Sequence, residues 1–258
     1  MKDIFSLKDK TILITGGYGH LGRATAAGLA DHGASVVVLG RSEDKFRTAF
    51  GDSKRQITFQ SCDISRSDSI RAAFKSVAAA APKIDVLINN AFYSRGNDPE
   101  KLSDDDWAYG IDGTLNSVYR AIREVIPYFH AQRGGKIVNV SSMYGLIAPK
   151  FSIYDAAPGQ LNAPHYGAAK AGVIQLTRYY AAYLGASGVN VNCVTAGPFP
   201  TPATQANGEF VKELKSMNPL GRIGRPEDIV GAFVFLSSSS SDFVTGHNLV
   251  VDGGWTAW

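Results

Sequence analysis

The chain has 258 residues, 45% of them hydrophobic and 19% charged, and its 26 Lys and Arg against 23 Asp and Glu leave a formal charge of +3. A chain of this length can bury about 70–75% of its unfolded surface and needs no disulfide or metal staple. The small charge excess argues against nucleic-acid or anionic-membrane partners. Cys62 and Cys193 share no CxxC or metal-ligand spacing and read as reduced, buried small hydrophobes.

The first ten residues mix Lys2, Asp3, Lys8, Asp9 and Lys10 with few apolar ones, unlike a signal peptide. The uncharged stretch from Tyr179 to Gly208 is broken by Gly, Pro and Asn and cannot serve as a membrane span. These features predict a cytoplasmic globule.

In chain order, β-rich apolar runs at Thr11–Thr15, Ser35–Leu39, Gln56–Gln60, Ile84–Ile88, Lys136–Ser141, Val189–Val194 and Asn248–Val251 read as strands. Between them, amphipathic patterns at Leu21–Asp31, Ser67–Ala80, Leu115–Ala131, Tyr166–Leu184 and Pro226–Leu236 read as helices. Near-continuous apolar strands alternating with helices predict a parallel sheet covered on both faces. Right-handed crossovers then give an α/β, doubly wound Rossmann sheet of about seven strands in one domain, residues 1–258.

The first strand runs into Gly16-Gly17-Tyr18-Gly19-His20-Leu21-Gly22, and Gly17, Gly19 and Gly22 satisfy GxGxxG. Between a strand and a helix, such a turn lets a pyrophosphate approach the backbone and the helix N-terminus. At the end of the second strand, the acid expected for an NAD ribose is replaced by Leu39-Gly40-Arg41-Ser42. Arg41 could pair with a 2′-phosphate, so NADP(H) is favoured over NAD(H); alternatively it is a solvated charge with Ser42 as helix N-cap. Asp63, followed by Ile64, is either an adenine contact or a turn cap.

Tyr166 and Lys170 are four apart, hence on one helix face. An ammonium beside a phenol lowers the phenol pKa and suits it to acid/base work. Ser141-Ser142 ends the fifth strand at the carboxyl edge, where doubly wound sheets bind ligands. Ser142 would orient a carbonyl and Tyr166 would move the proton.

Taken together, Thr15-Gly16…Gly22, Asn89-Asn90-Ala91, Ser142, Tyr166…Lys170, Gly221-Arg222-Ile223-Gly224-Arg225-Pro226-Glu227-Asp228 and Val251-Asp252-Gly253-Gly254-Trp255 resemble the short-chain dehydrogenase/reductase family. The resemblance covers essentially the whole chain and is to the short, single-domain branch, near gluconate 5-dehydrogenases and 3-oxoacyl carrier-protein reductases. It implies NAD(P)-dependent interconversion of an alcohol and a ketone on a small-molecule substrate. It also implies that Lys170 holds the nicotinamide ribose, that Asn90 and Ala91 line the cofactor, that Gly197 and Thr201 lie at its carboxamide end, and that the chain forms a homotetramer or homodimer through its long helices.

Four departures from the family pattern stand out. His20 occupies a position usually held by Gly, and the TGxxGxxG spacing is similar to that of sugar-nucleotide epimerases and dehydratases. Such an enzyme with retained cofactor, or a non-catalytic NADP-binding regulatory protein, is the alternative. Thr114 stands where the family has its relay Asn; either Asn116 takes that role through a local shift, or water does. Ala196-Gly197-Pro198 replaces the usual Pro-Gly. The stretch between Ser142 and Tyr166 carries an insertion of roughly 151–164, expected at the substrate pocket wall. Its polar residues favour a polyol, sugar acid or sugar-derived substrate. Arg95 and His165 are further substrate-contact candidates, each with a bland reading as a solvated charge or a packed helix-start residue. The five histidines and the carboxylates suggest no metal site.

Overall fold

Seven strands, each parallel to its neighbours, pair in the order β3-β2-β1-β4-β5-β6-β7 in the computed structural model, which describes residues 3–51, 53–157 and 159–257. They are β1 (Thr11–Thr15), β2 (Ser35–Gly40), β3 (Ile57–Ser61), β4 (Val86–Asn89), β5 (Gly135–Ser142), β6 (Val189–Ala196) and β7 (Asn248–Val251). The helices are α1 (His20–Asp31), α2 (Glu43–Phe50), α3 (Ser67–Ala80), α4 (Asp104–Ile111), α5 (Ser117–Gln132), α6 (Pro164–Leu184), α7 (Pro202–Gln205), α8 (Gly208–Ser216) and α9 (Val230–Ser237). This is the expected single-domain Rossmann architecture.

Side-chain alternation along the strands builds two cores. Ile12, Ile14, Val36, Val38, Val86, Ile88 and Val138 face one way and pack with Leu29 of α1 and Phe233 of α9. Leu13, Leu39, Leu87 and Ile137 face the other way, onto Phe74 of α3, Ile122 and Phe129 of α5, and Val173 of α6. Cys62 and Cys193 are both free and buried, and burial pushes each thiol up to about 12.

Three details depart from the expected elements. The helix expected over Leu115–Ala131 is a π-helical turn, Asp112–Asn116, running into α5. The sequence points to α2 only through Ser42 as an alternative N-cap; half of its eight residues are charged. Ser42 caps it, its Oγ accepting from the Lys45 N–H at 3.3 Å, and Phe46 stacks on Phe50 and Phe59. The sequence reading passed over α4, capped by Ser103, which accepts from the Asp106 N–H at 3.1 Å.

A third apolar cluster lies beyond the carboxyl edge of the sheet. Ile153, Tyr154 and Ala157 of the inserted segment, two 3-10 turns over Phe151–Ala156, bury themselves with Phe210 and Leu214 of α8 and with Trp255.

Asn139 of β5 joins the strands to α6: it accepts from Asn89 Nδ2 and donates to Thr177 Oγ1, both at 2.9 Å and both buried. Asn139→Ala strands Asn89 Nδ2 and leaves Thr177 Oγ1 only its bond to the Val173 carbonyl, and is expected to lower unfolding stability by about 1–3 kcal/mol in urea titration; a loss within about 0.5 kcal/mol, typical of an ordinary surface change, would contradict this linkage.

Candidate active site

Strand order reverses between β1 and β4, and doubly wound sheets bind ligands at such a switch point. A cleft of about 500 Å³ opens there, bounded by the turn after β1, the ends of β2, β4 and β5, and the start of α6.

The turn after β1 is held by side chains. Thr15 Oγ1 accepts from the N–H groups of Asn90 and Ala91, each at 3.0 Å, and Asn90 Nδ2 donates to the Thr15 and Gly16 carbonyls at 2.9 and 3.2 Å. Gly16 is left-handed, with φ +64°, and a Cβ on Gly22 would stand 2.3 Å from the Gly16 carbonyl oxygen. Only glycine suits either position. The N-terminus of α1 has no side-chain cap and no acid in its first turn, so its N–H donors and positive dipole end can take an anion. His20 Nε2 is buried there, with no protein partner among the described residues. A bare turn, an open helix N-terminus and an unsatisfied nitrogen are what a pyrophosphate requires, so the cradle fits a dinucleotide.

Gly17, Tyr18, Gly19, Leu21, Arg41, Asp63, Ile64, Asn90, Ala91, Gly197 and Thr201 surround the same cleft; most line it, whereas Gly17 packs inward, where a Cβ would lie 2.8 Å from Ile14 and Val38. The Tyr18 hydroxyl accepts from the Arg41 N–H at 3.1 Å and fixes the end of β2. Asp63 Oδ1 accepts from the Ser65 N–H at 2.9 Å and Oγ at 2.7 Å, so it caps a turn as well as lining the cleft. Burial pushes the Asp63 carboxyl up, but those bonds and the Arg41 and Arg66 charges outweigh it and hold the pKa below its ordinary value. Lys45, in the first turn of α2, joins Arg41 at this end. The sequence reading missed Lys45 because it marked α2 only by Ser42 as an alternative N-cap; the Arg41–Lys45 spacing across the Ser42 cap was the available signal.

At the other end, Ser142, Tyr166 and Lys170 meet as the sequence predicts. Lys170 is buried; its Nζ donates to the Val140 carbonyl at 2.7 Å and lies 5.3 Å from the centre of the Phe92 ring and 5.6 Å from that of Tyr166. Burial lowers its amine to about 8. Burial also raises the Tyr166 phenol, while the Ser142 hydroxyl bonded to it pulls the other way. Burial therefore disfavours the charged form of each, and the expectation of a phenol lowered by its lysine is corrected: the Tyr166 phenol is raised instead.

Asn116 does not join this group. It is exposed and donates to Asp112 Oδ1 at 3.1 Å, in a network that also holds Tyr93 and Arg120. Thr114, inside the π-helical turn, is 1% exposed, and its Oγ1 has no protein partner among the described residues. The π turn adds a residue to the helical spiral and rotates Asn116 away from the site. Arg95 is also removed from substrate contact: it pairs with Asp106 at 2.5 Å and lies over the Tyr109 ring. His165 is fully buried behind the site, its Nε2 bonded to the Arg95 carbonyl at 3.0 Å, in agreement with the packing reading.

Comparison with known proteins is consistent with this arrangement. The family model described as enoyl-(acyl carrier protein) reductase matches residues 19–256. The chain is 35% identical over 254 residues to a 3-oxoacyl-(acyl-carrier-protein) reductase FabG of Chlamydia muridarum, covering 96% of this chain and 98% of that one. It is 34% identical over 261 residues to 2-dehydro-3-deoxy-D-gluconate 5-dehydrogenase of Escherichia coli K12, covering 98% of each. The crystal structure of a gluconate 5-dehydrogenase from Burkholderia cenocepacia, in complex with NADP and tartrate, superposes with a TM-score of 0.89 at 30% identity, covering 99% of this chain and 98% of that one.

The lowered amine gives a pH signature. An unfolded lysine titrates near ~10.4, so between about pH 8 and pH 10 the unfolded chain holds a proton that folded Lys170 has shed. Stability from this group therefore rises with pH across that window. Wild type should gain stability relative to Lys170→Met between pH 8 and pH 10 in urea unfolding; a constant difference would contradict the buried-amine assignment.

Proposed function

The chain belongs to the short-chain dehydrogenase/reductase family, NAD(P)-dependent oxidoreductases acting between CH–OH and keto groups, and from that premise we propose that it interconverts an alcohol and a ketone on a small polar substrate, a polyol, sugar acid or sugar derivative, using NADP(H) in preference to NAD(H). The observation that carries this reading is the convergence of Ser142, Tyr166 and Lys170 on one cleft with the glycine cradle.

In this reading Gly16, Tyr18, Gly19, His20, Leu21 and Gly22 would hold the pyrophosphate, with Gly17 packed behind them, Arg41 and Lys45 would hold the 2′-phosphate, Asp63 and Ile64 would border the adenine, Asn90 and Ala91 the ribose, and Gly197 and Thr201 the carboxamide. The bound nicotinamide supplies or accepts the hydride. Ser142 Oγ donates to the substrate carbonyl oxygen and fixes its place beside the Tyr166 hydroxyl. Tyr166 begins neutral because its site is buried, so in reduction it can give its proton to that oxygen as negative charge develops there. The Lys170 amine, near 8 and so partly protonated at neutral pH, lowers the cost of the phenolate left behind. Oxidation reverses these steps. With Asn116 outside the cleft, the proton returns through Lys170 and water.

The protein works, on the same reading, in the cytoplasm as a homotetramer or homodimer joined through α5 and α6. That surface exposes Tyr119, Tyr179 and Tyr183, and Tyr and Arg are enriched at interface centres. Among the described residues, no helix is long and apolar enough to cross a membrane.

Tyr166→Phe should lower turnover by at least about 100-fold, the usual scale of one general acid, while NADPH affinity stays within about two-fold; substantial residual turnover would remove Tyr166 from the acid/base role. Arg41→Ala should weaken NADPH about ten-fold or more, the loss of one charge-assisted pair, and leave NADH nearly unchanged. Equal losses for both, measured by fluorescence titration, would end the NADP assignment.

A further inference from the structure

The segment after β4 sets an aromatic ring against the buried lysine of the site, and two anchors hold it there. On one side, the Ala91 N–H donates to Thr15 Oγ1 at 3.0 Å. On the other, the Tyr93 hydroxyl donates to Asp112 Oδ2, and Arg120 Nη1 donates to the same oxygen at 3.2 Å. The Tyr93 ring lies 4.8 Å from that of Tyr109. A Cβ on Gly113 would collide with the Tyr93 carbonyl oxygen, so the π-helical turn packs directly on this backbone. The Asp112 network, which no step of the mechanism uses, thus fixes Tyr93 and with it Phe92, the residue between the anchors.

Phe92 lines the same cleft as Ser142, Tyr166 and Lys170 and is half-exposed. Its ring lies 5.5 Å from that of Tyr166, and Lys170 Nζ lies over both, 5.3 Å from the Phe92 centre and 5.6 Å from that of Tyr166. Both separations fall within the roughly 6 Å over which a ring face attracts a cation. An ammonium has three donors. One goes to the Val140 carbonyl; among the described residues, no other protein acceptor bonds to Nζ and no carboxylate pairs with it. The titratable groups that face it are Tyr166 on its own helix and Cys193 of β6, and burial keeps both neutral. Besides one carbonyl, the two rings are therefore what offsets the cost of a charge in this dry place.

We infer that Phe92 is a positioning residue of the proton transfer: its ring, with that of Tyr166, forms the aromatic face that keeps the Lys170 amine charged inside the cleft. The inference rests on the oxidoreductase reading of the site. Tyr166 changes its own charge during the reaction, whereas Phe92 does not, so Phe92 supplies the constant part of that face. A charged Lys170 is what makes the Tyr166 phenolate affordable, and Phe92 therefore acts on the reaction through Lys170.

Lysine isotopically labelled at Cε reports the charge on each amine by NMR, whether or not the protein turns over a ketone, and Lys170→Met identifies the resonance. In the unliganded protein, Phe92→Leu keeps an apolar side chain but removes the ring face. It should move the Lys170 inflection to lower pH by about 0.4–1.5 units, the scale of one cation–π contact. Phe92→pentafluorophenylalanine keeps the ring and reverses the polarity of its face, and should move the inflection the same way. Phe92→Trp should leave it at or above the wild-type position. A leucine that merely let water in would raise the inflection, since hydration favours the charged form. A rise, no movement, or a fluorinated variant that matches wild type overturns the inference. The fluorinated variant disturbs packing least and is decisive if Phe92→Leu does not fold. Reduction of cyclohexanone by NADPH, followed against pH, ties the amine to the reaction: kcat should fall above the Lys170 inflection, and that alkaline limb should move with it. A limb that stays while the amine moves overturns the part of Phe92 in proton transfer. Ketone reduction with an unmoved amine removes the aromatic face and leaves the oxidoreductase reading intact. A moved amine without reduction of any ketone supports the face and removes that reading.

Discussion

Two hydrogen bonds between β5 and α6 set the geometry of the whole site. Ser141 Oγ donates to the Lys170 carbonyl at 2.8 Å, and Lys170 Nζ donates back to the Val140 carbonyl at 2.7 Å. They fix the offset of helix and strand, and so bring Ser142, at the end of one, to Tyr166, one turn before Lys170 on the other. The clamp works because it is dry, and the same burial pulls the amine down to about 8. On the proposed mechanism, a group that would carry charge during proton transfer is thus held where charge is costly, a common feature of acid/base sites.

The opposite end of the cleft depends on backbone rather than titration. Thr15 and Asn90 tie the ends of β1 and β4 together across the switch point, and the turn they support has no side chain where an anion would sit. Of the cations at the end of β2, Arg41 lies in the turn before the Ser42 cap and Lys45 in the first turn of α2. On the proposed reading, the groups that would anchor the phosphates and those that would discriminate the ribose sit on separate pieces of chain.

The inner strands were legible because they are buried on both faces and read as apolar, β-branched runs, as in β1, whose bounds match the run; the edge strand β7 is only half-buried, and its bounds match as well. Ser142, Tyr166 and Lys170 were legible because each needs only its place on a strand end or helix face. The site's other features depend on tertiary packing. The helix α2 packs Phe46 and Phe50 on the sheet; in the sequence it showed only as the alternative N-cap at Ser42, and Lys45 went unseen. The signal for α4, Ser103 followed by three acids, was present as an N-cap and dipole pattern. The π-helical turn at Asp112–Asn116 follows no periodic rule, and it decides that Thr114 points inward and Asn116 outward. Tyr154, inside the insertion, meets Tyr144, outside it; the sequence revealed the position of the insertion but not that contact.

The central claim is that hydride passes directly between a bound nicotinamide and a carbonyl carbon held by Ser142 and Tyr166. NADPH deuterated at C4, on one face and then on the other, tests it most directly, with 5-ketogluconate as the acceptor and the product examined by NMR. The account predicts deuterium on the new carbinol carbon from one face only. Deuterium lost to water, or an NADPH that stays unoxidised in the presence of this and every other ketone offered, would contradict it.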